Sequence, residues 1–203
     1  MRYRSAENEL VPIIVIIILN FLVYLAIHIA DWSGGNIIGY LALSRSIFFV
    51  YPWTIFTYMF THEEFLHILF NMVTLYFFGT FFIRIAGINR FYITYLLGGL
   101  VAGLFILLIP SYNLIPFYAL PDIPTIGASG AIFALGGVLT VLTPKIRVFI
   151  FPIPAPMPLW VAILGTFVIL SFIPGVSWQG HLGGLLFGLL AGWYMRRRVR
   201  IIM

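Results

Sequence analysis

Residues 178–198 read Trp178-Gln179-Gly180-His181-Leu182-Gly183-Gly184-Leu185-Leu186-Phe187-Gly188-Leu189-Leu190-Ala191-Gly192-Trp193-Tyr194-Met195-Arg196-Arg197-Arg198. A membrane-crossing helix needs roughly 20 mostly apolar residues. This stretch supplies them from Trp178 to Met195 and then turns abruptly cationic. Gly184, Gly188 and Gly192 stand four apart, so they share one helix face. In lipid, small residues at that spacing let two helix backbones touch. His181 lies one turn before the first of these glycines. An ionisable group within a membrane span is costly and points to function.

Working outward, five more stretches have the length and apolar character of spans. They run from about Leu10 to Ala30, Glu64 to Arg84, Arg90 to Ile109, Thr125 to just before Pro144, and Met157 to Ile173. The expected fold class is an all-α membrane protein, a bundle of six transmembrane helices in a single domain over residues 1–203. Composition agrees: 62% of the residues are apolar and 8% charged, against about 25% charged in soluble domains. The absence of cysteine excludes disulfides, thiolate metal sites and cysteine nucleophiles. The first span is too long for the h-region of a removed signal peptide. The long segment from Asp31 to Thr61 holds Trp32, Phe48, Phe49, Tyr51 and Trp53, and is expected to lie in the membrane interface.

The basic residues set a direction. Arg2 and Arg4, Arg84 and Arg90, Lys145 and Arg147, and the tail Arg196, Arg197, Arg198 and Arg200 all fall on one side of a six-span plan. Arg45 alone falls on the other, with Asp31, Glu63, Glu64 and Asp122. Positive loops mark the cytoplasmic side, so both termini are expected there. The net charge of +5 is then a topology signal, and no nucleic-acid partner is expected.

Three spans running inward carry polar groups at a matching depth: His67 and Asn71 on the second, Ser129 opening the fourth, and His181 on the sixth. Gly130, Ala134 and Gly137 give the fourth span a small-residue side to meet the glycines of the sixth. That contact brings His181 beside Ser129. A serine hydroxyl becomes a nucleophile when a base takes its proton, and a neutral imidazole suits that task. Backbone N–H groups at the start of the Ser129 helix are unpaired within it and can hold an oxyanion. The His67 imidazole and the Asn71 amide can add donors, although Asn71 can instead orient His181. No Asp or Glu lies inside a span, so the reading is a Ser–His dyad. His62 and His67 imitate a zinc signature, but they are five apart. On one helix that spacing sets them about 140° apart, so no metal is expected, and His62 is read as an interfacial residue. A small-solute or proton transporter using His67 and His181, or a non-catalytic membrane chaperone, are the competing classes. The phenylalanines 77, 78, 81 and 82 in the inner half of the second span argue against an aqueous path.

These residues resemble the rhomboid intramembrane proteases over most of the chain. The resemblance rests on His62-x4-His67-Ile68-Leu69-Phe70-Asn71, on Gly127-x-Ser129-Gly130, and on His181-Leu182-Gly183-Gly184-x3-Gly188, in that order. It implies cleavage of transmembrane protein substrates within the lipid bilayer by a cofactor-free dyad of Ser129 and His181. His67, Asn71 and the Ser129 N–H would form the oxyanion hole, and Phe133 would pack on the catalytic imidazole. The last apolar span but one and residues Pro174 to Ser177 would admit substrate. The length and plan resemble the minimal prokaryotic form, implying a multi-pass protein of the cell (inner) membrane whose site opens to the outer side. Thr54, Ile83 and Gly180 depart from the family pattern, where Arg, Glu and Ala are common.

Overall fold

The computed structural model describes residues 6–110, 112–114, 117–119, 122–149 and 155–197. Arg2, Arg4, Arg198 and Arg200, used above for orientation, lie outside the described residues. Helix α1 spans Ala6–Trp32, α2 Ile38–Leu41, α3 Thr54–Thr57, α4 Phe65–Ala86, α5 Ile88–Leu108, α6 Ser129–Leu142, α7 Leu159–Ser171 and α8 Trp178–Arg196. Two antiparallel ribbons complete the described residues. One pairs β1 (Tyr112–Leu114) with β2 (Phe117–Ala119), and the other pairs β3 (Arg147–Val148) with β4 (Met157–Pro158). The helices make up the body of the molecule, as expected of an all-α protein. These ribbons are short segments in the connections on either side of α6, where no span-length apolar run imposes a helix.

Among the described residues, three helices are long and apolar enough to cross a membrane: Glu9–Trp32 within α1, α4, and α5. Their outward faces carry Val11, Ile18, Leu22, Phe70, Phe77, Ile93 and Leu104 in the open. Such faces are stable against hydrocarbon rather than water. A single residue joins α4 to α5. Gly87 has φ +87° and donates its N–H to Ile83 O at 2.9 Å. Only glycine adopts that backbone cheaply, so the chain reverses without a loop. At the same end, Arg84 pairs with Glu9 at 3.5 Å, fixing α1 antiparallel to α4.

Helix α6 is the core. Every residue from Gly130 to Leu139 is buried, with α8, α5, α4 and α7 packed around it. It is shorter than the expected span, which was to begin near Thr125. Fourteen residues rise only about 21 Å at 1.5 Å each. The segment before it is extended because its backbone is used elsewhere. Thr125 and Leu43 exchange hydrogen bonds of 2.8 and 2.9 Å, and Gly127 N–H donates to Tyr58 O at 2.9 Å. Gly127 then turns the chain with φ +117°. The segment from Asp31 to Thr61 is structured too. Beyond α2 and α3 it holds a 3₁₀ turn at Tyr58–Phe60. Trp53 Nε1 donates to Tyr40 O at 2.8 Å, and the Tyr58 hydroxyl donates to Gly99 O at 2.7 Å.

Candidate active site

The crossing of α6 and α8 is a contact between two backbones. A methyl group added at Gly184 would land on the Gly130 carbonyl, and one at Gly188 on the Ala134 carbonyl. One at Gly137 would lie 2.8 Å from Leu185 O, and one at Gly192 would lie 2.9 Å from Val141 Cβ. The seam expected from the four-residue spacing is therefore present. Gly130 is close on a second side, where an added methyl would meet Ala102 Cβ at 2.6 Å.

One turn above the seam, His181 Nε2 lies 2.7 Å from Ser129 Oγ. Serine has one hydroxyl proton to give. When it donates to Nε2, the ring's own proton sits on Nδ1. That Nδ1 is buried and has no hydrogen-bond partner among the described residues. Neither an Asp nor Asn71 stands behind it. The Phe133 ring packs on the imidazole at 4.6 Å between centroids, tilted 38°. Phe167 of α7 meets Phe133 edge-on at 6.1 Å. The rotation of His181 is thus set by packing, with α7 as the outer cover of the stack.

The turn into Ser129 rests on two histidines. The His67 ring lies against Gly127, where a Cβ would come within 2.7 Å of His67 Nε2. Gly127 is therefore required twice, by its backbone angle and by this contact. The Ala128 N–H points to His62 Nε2 at 3.4 Å. His62 is fully buried, which corrects its reading as an interfacial residue. It precedes α4, whose first residue is Phe65, so the helical-wheel angle between His62 and His67 does not apply. The rings are neighbours, 4.9 Å apart and edge to face. Burial, and after it the nearby His67, pushes the His62 imidazole down to about 3. It stays neutral and able to accept. No cluster of three His, Asp or Glu suited to a metal occurs among the described residues.

Asn71 is one turn below His67 on the same face. Its Nδ2 donates to His67 O at 2.9 Å, so one amide hydrogen is engaged by its own helix. Thr54 is buried and caps itself on Tyr51 O at 2.7 Å. Ile83 sits in the apolar core. Both departures from the family pattern are thus filled by groups that need no distant partner.

Sequence reading missed a clamp on the segment leading to Ser129. The Asp122 carboxylate accepts from Ser44 Oγ and Ser46 N–H, each at 2.7 Å, and pairs with Arg45 Nε at 3.4 Å. Burial pushes this carboxyl up, but the hydrogen bonds from Ser44, Ser46 and Arg45 outweigh it and hold it at about 2. The available signal was the placement of Arg45 and Asp122 on the same side, with no other cation there.

A serine bonded to a histidine behind a buried, glycine-lined helix crossing is matched by relationship. The Rhomboid domain model matches residues 51–198. The chain is 32% identical over 145 residues to "Rhomboid protein 1, mitochondrial" of Saccharomyces cerevisiae, across 69% of this chain. The chain spans 41% of the length of that relative. The match extends from Tyr51 in the first connection to the end of α8 and includes Ser129, His181, His62, His67, Asn71, Gly127 and Phe133, so the chain belongs to the rhomboid family of multi-pass membrane proteins.

Proposed function

We propose that this protein is an intramembrane serine endopeptidase that cuts membrane proteins in or near their transmembrane segments. The observation carrying this reading is the 2.7 Å approach of His181 Nε2 to Ser129 Oγ. Ser129 Oγ attacks the substrate carbonyl carbon while His181 Nε2 takes the hydroxyl proton. The negative oxygen of the tetrahedral intermediate is held by the Ser129 N–H, the His67 imidazole and the free amide hydrogen of Asn71. One such donor is worth about 100- to 1,000-fold in rate. The imidazolium returns its proton to the leaving amine, and the C–N bond breaks. Water, with His181 again as base, then hydrolyses the acyl-enzyme.

In this reading residues 1–203 form one protease domain. The chain crosses the bilayer six times, by α1, α4, α5, α6, α7 and α8, and the aromatic segment from Asp31 to Thr61 rides in the interface. Supporting this, Phe49 and Trp32 are more than nine-tenths exposed, as suits aromatic side chains at an interface. Both termini are read as cytoplasmic, in a cell membrane, and the basic residues of the inner connections and the tail support this. Helix α6 is about 9 Å shorter than the roughly 30 Å hydrocarbon layer. That leaves a recess above Ser129 for water from the outer side. Substrate enters past α7 and residues Pro174 to Ser177, since α7 leaves Trp160, Val168 and Ile169 in the open. The test is cleavage of a model transmembrane substrate in proteoliposomes. Wild type should cleave it, and Ser129→Ala and His181→Ala should not. A fluorophosphonate probe should label the wild type only. Labelling that survives His181→Ala would remove the dyad, and an unlabelled, folded wild type would remove the protease reading.

A further inference from the structure

Two residues before His181 lies a buried amide with no part in the chemistry above. Gln179 is 2% exposed. Burying a primary amide without partners is costly, and here both ends are engaged. Nε2 donates to the carbonyl of Pro110, just past the end of α5, at 3.1 Å. Oε1 accepts from Ser177 Oγ at 3.3 Å. Ser177 Oγ in turn accepts the Gly180 N–H at 3.4 Å, and Ser177 O accepts the His181 N–H at 3.2 Å. Beside Gln179, the first turn of α8 presents glycines to the side chains of α5. An added methyl at Gly180 would meet Ile106 Cδ1 at 2.9 Å, and one at Gly183 would meet Phe105 Cγ at 2.7 Å. Residues 179 and 181 point about 200° apart on a helix. Gln179 therefore faces α5 while His181 faces α6.

Building on the protease reading, we infer that Gln179 is a positioning residue: it fixes the height and rotation of the first turn of α8 against α5, and thereby holds His181 on Ser129. The apolar contacts to Ile106 and Phe105 let the turn slide along α5. The hydrogen bond to Pro110 O stops that slide, and the Ser177 bond couples it to the cap of α8. A misplacement of about 1 Å at a reacting group costs up to about 100-fold in rate.

The test compares wild type, Gln179→Leu and Gln179→Glu by fluorophosphonate labelling rate and by kcat and KM on a transmembrane substrate, from pH 5 to 8. Gln179→Leu should lower kcat and the labelling rate by about tenfold or more with KM unchanged. In Gln179→Glu the protonated carboxyl can donate to Pro110 O as the amide does, while the carboxylate cannot. The ratio of variant to wild-type activity should therefore fall through a new ionisation as pH rises. A volume-filling role would give no such step. A Gln179→Leu variant that labels at the wild-type rate, or a flat Gln179→Glu ratio, overturns the assignment while the labelled wild type leaves the protease reading standing. An unlabelled wild type overturns both. If Gln179→Leu does not fold, the pH ratio of Gln179→Glu decides alone.

Discussion

Replacing Gly184 by alanine tests the link between backbone packing and reactivity. The new methyl falls on the Gly130 carbonyl, which belongs to the residue after Ser129. A carbon needs roughly 3.3 Å from a carbonyl oxygen, so the helices must part locally by about 1 Å. Neither side can give cheaply, because the obstacle is main chain at the start of a buried helix. Opening the crossing by that amount takes the Ser129–His181 pair from 2.7 Å beyond hydrogen-bond range. The expected loss is about 100-fold in the fluorophosphonate labelling rate, with a stability cost of about 1–3 kcal/mol from overpacking. Position along the seam grades the effect. Gly188→Ala meets the Ala134 carbonyl farther from the pair, and should lose stability about equally but activity less. Gly192→Ala meets Val141 Cβ at 2.9 Å and Val138 Cα at 3.0 Å, so the helices must shift there too, and it should lose stability but, farthest from the pair, the least activity. Gly39→Ala has its nearest neighbour at 3.9 Å and serves as the control. The assay is labelling of detergent-purified protein beside its thermal melting temperature. A Gly184→Ala protein that melts normally and labels at the wild-type rate would refute the coupling.

Three further outcomes follow from the surroundings of the site. The Asp122 carboxyl is held at about 2 in the folded protein, below its unfolded value of about 3.9. Its stabilising contribution is therefore complete above about pH 4 and lost as pH falls toward 2; Asp122→Asn should flatten that limb of a melting-temperature profile, and an unchanged profile would show that the clamp carries no stability. His62→Leu leaves the Ala128 N–H buried without its acceptor, at about 1–3 kcal/mol, and should lower both the melting temperature and the labelling rate; a variant as stable as wild type would remove His62 as the support of this turn. Tyr58→Phe deletes the donor to Gly99 O, for a loss of about 1 kcal/mol in denaturant or thermal unfolding, and a stabilised variant would contradict it.

The legible part of this molecule was what periodicity controls. Glycines four apart on α8 imply a face, and a face of small residues in lipid implies a backbone contact. From that contact, His181 falls near Ser129 by simple rise per residue. What periodicity does not control stayed hidden. Thr125, Ile126 and Gly127 carry no charge and no proline, so the uncharged stretch runs on through them. Their departure into an extended path depends on Leu43 and Tyr58, more than sixty residues earlier. The burial of His62 is hidden for the same reason, because it lies before the helix begins and packs on the turn into Ser129. The small residues of α5 have no polar group beside them to mark a site. Gly98 packs on Ala134, Gly99 on Met59, and Gly103 on Ile55 and Tyr58, which makes α5 a second floor for the site.

The one-residue joint at Gly87 has a mechanical corollary. Helix α4 carries His67 and Asn71, while α5 underlies α6 and offers Pro110 to α8. With no slack between them, a tilt of one rod is transmitted to the other like the two arms of a bent lever. Anything that presses on the lipid-facing side of α4 would therefore be felt at both flanks of the reacting pair at once. A longer, more pliant linker at this corner would uncouple those flanks.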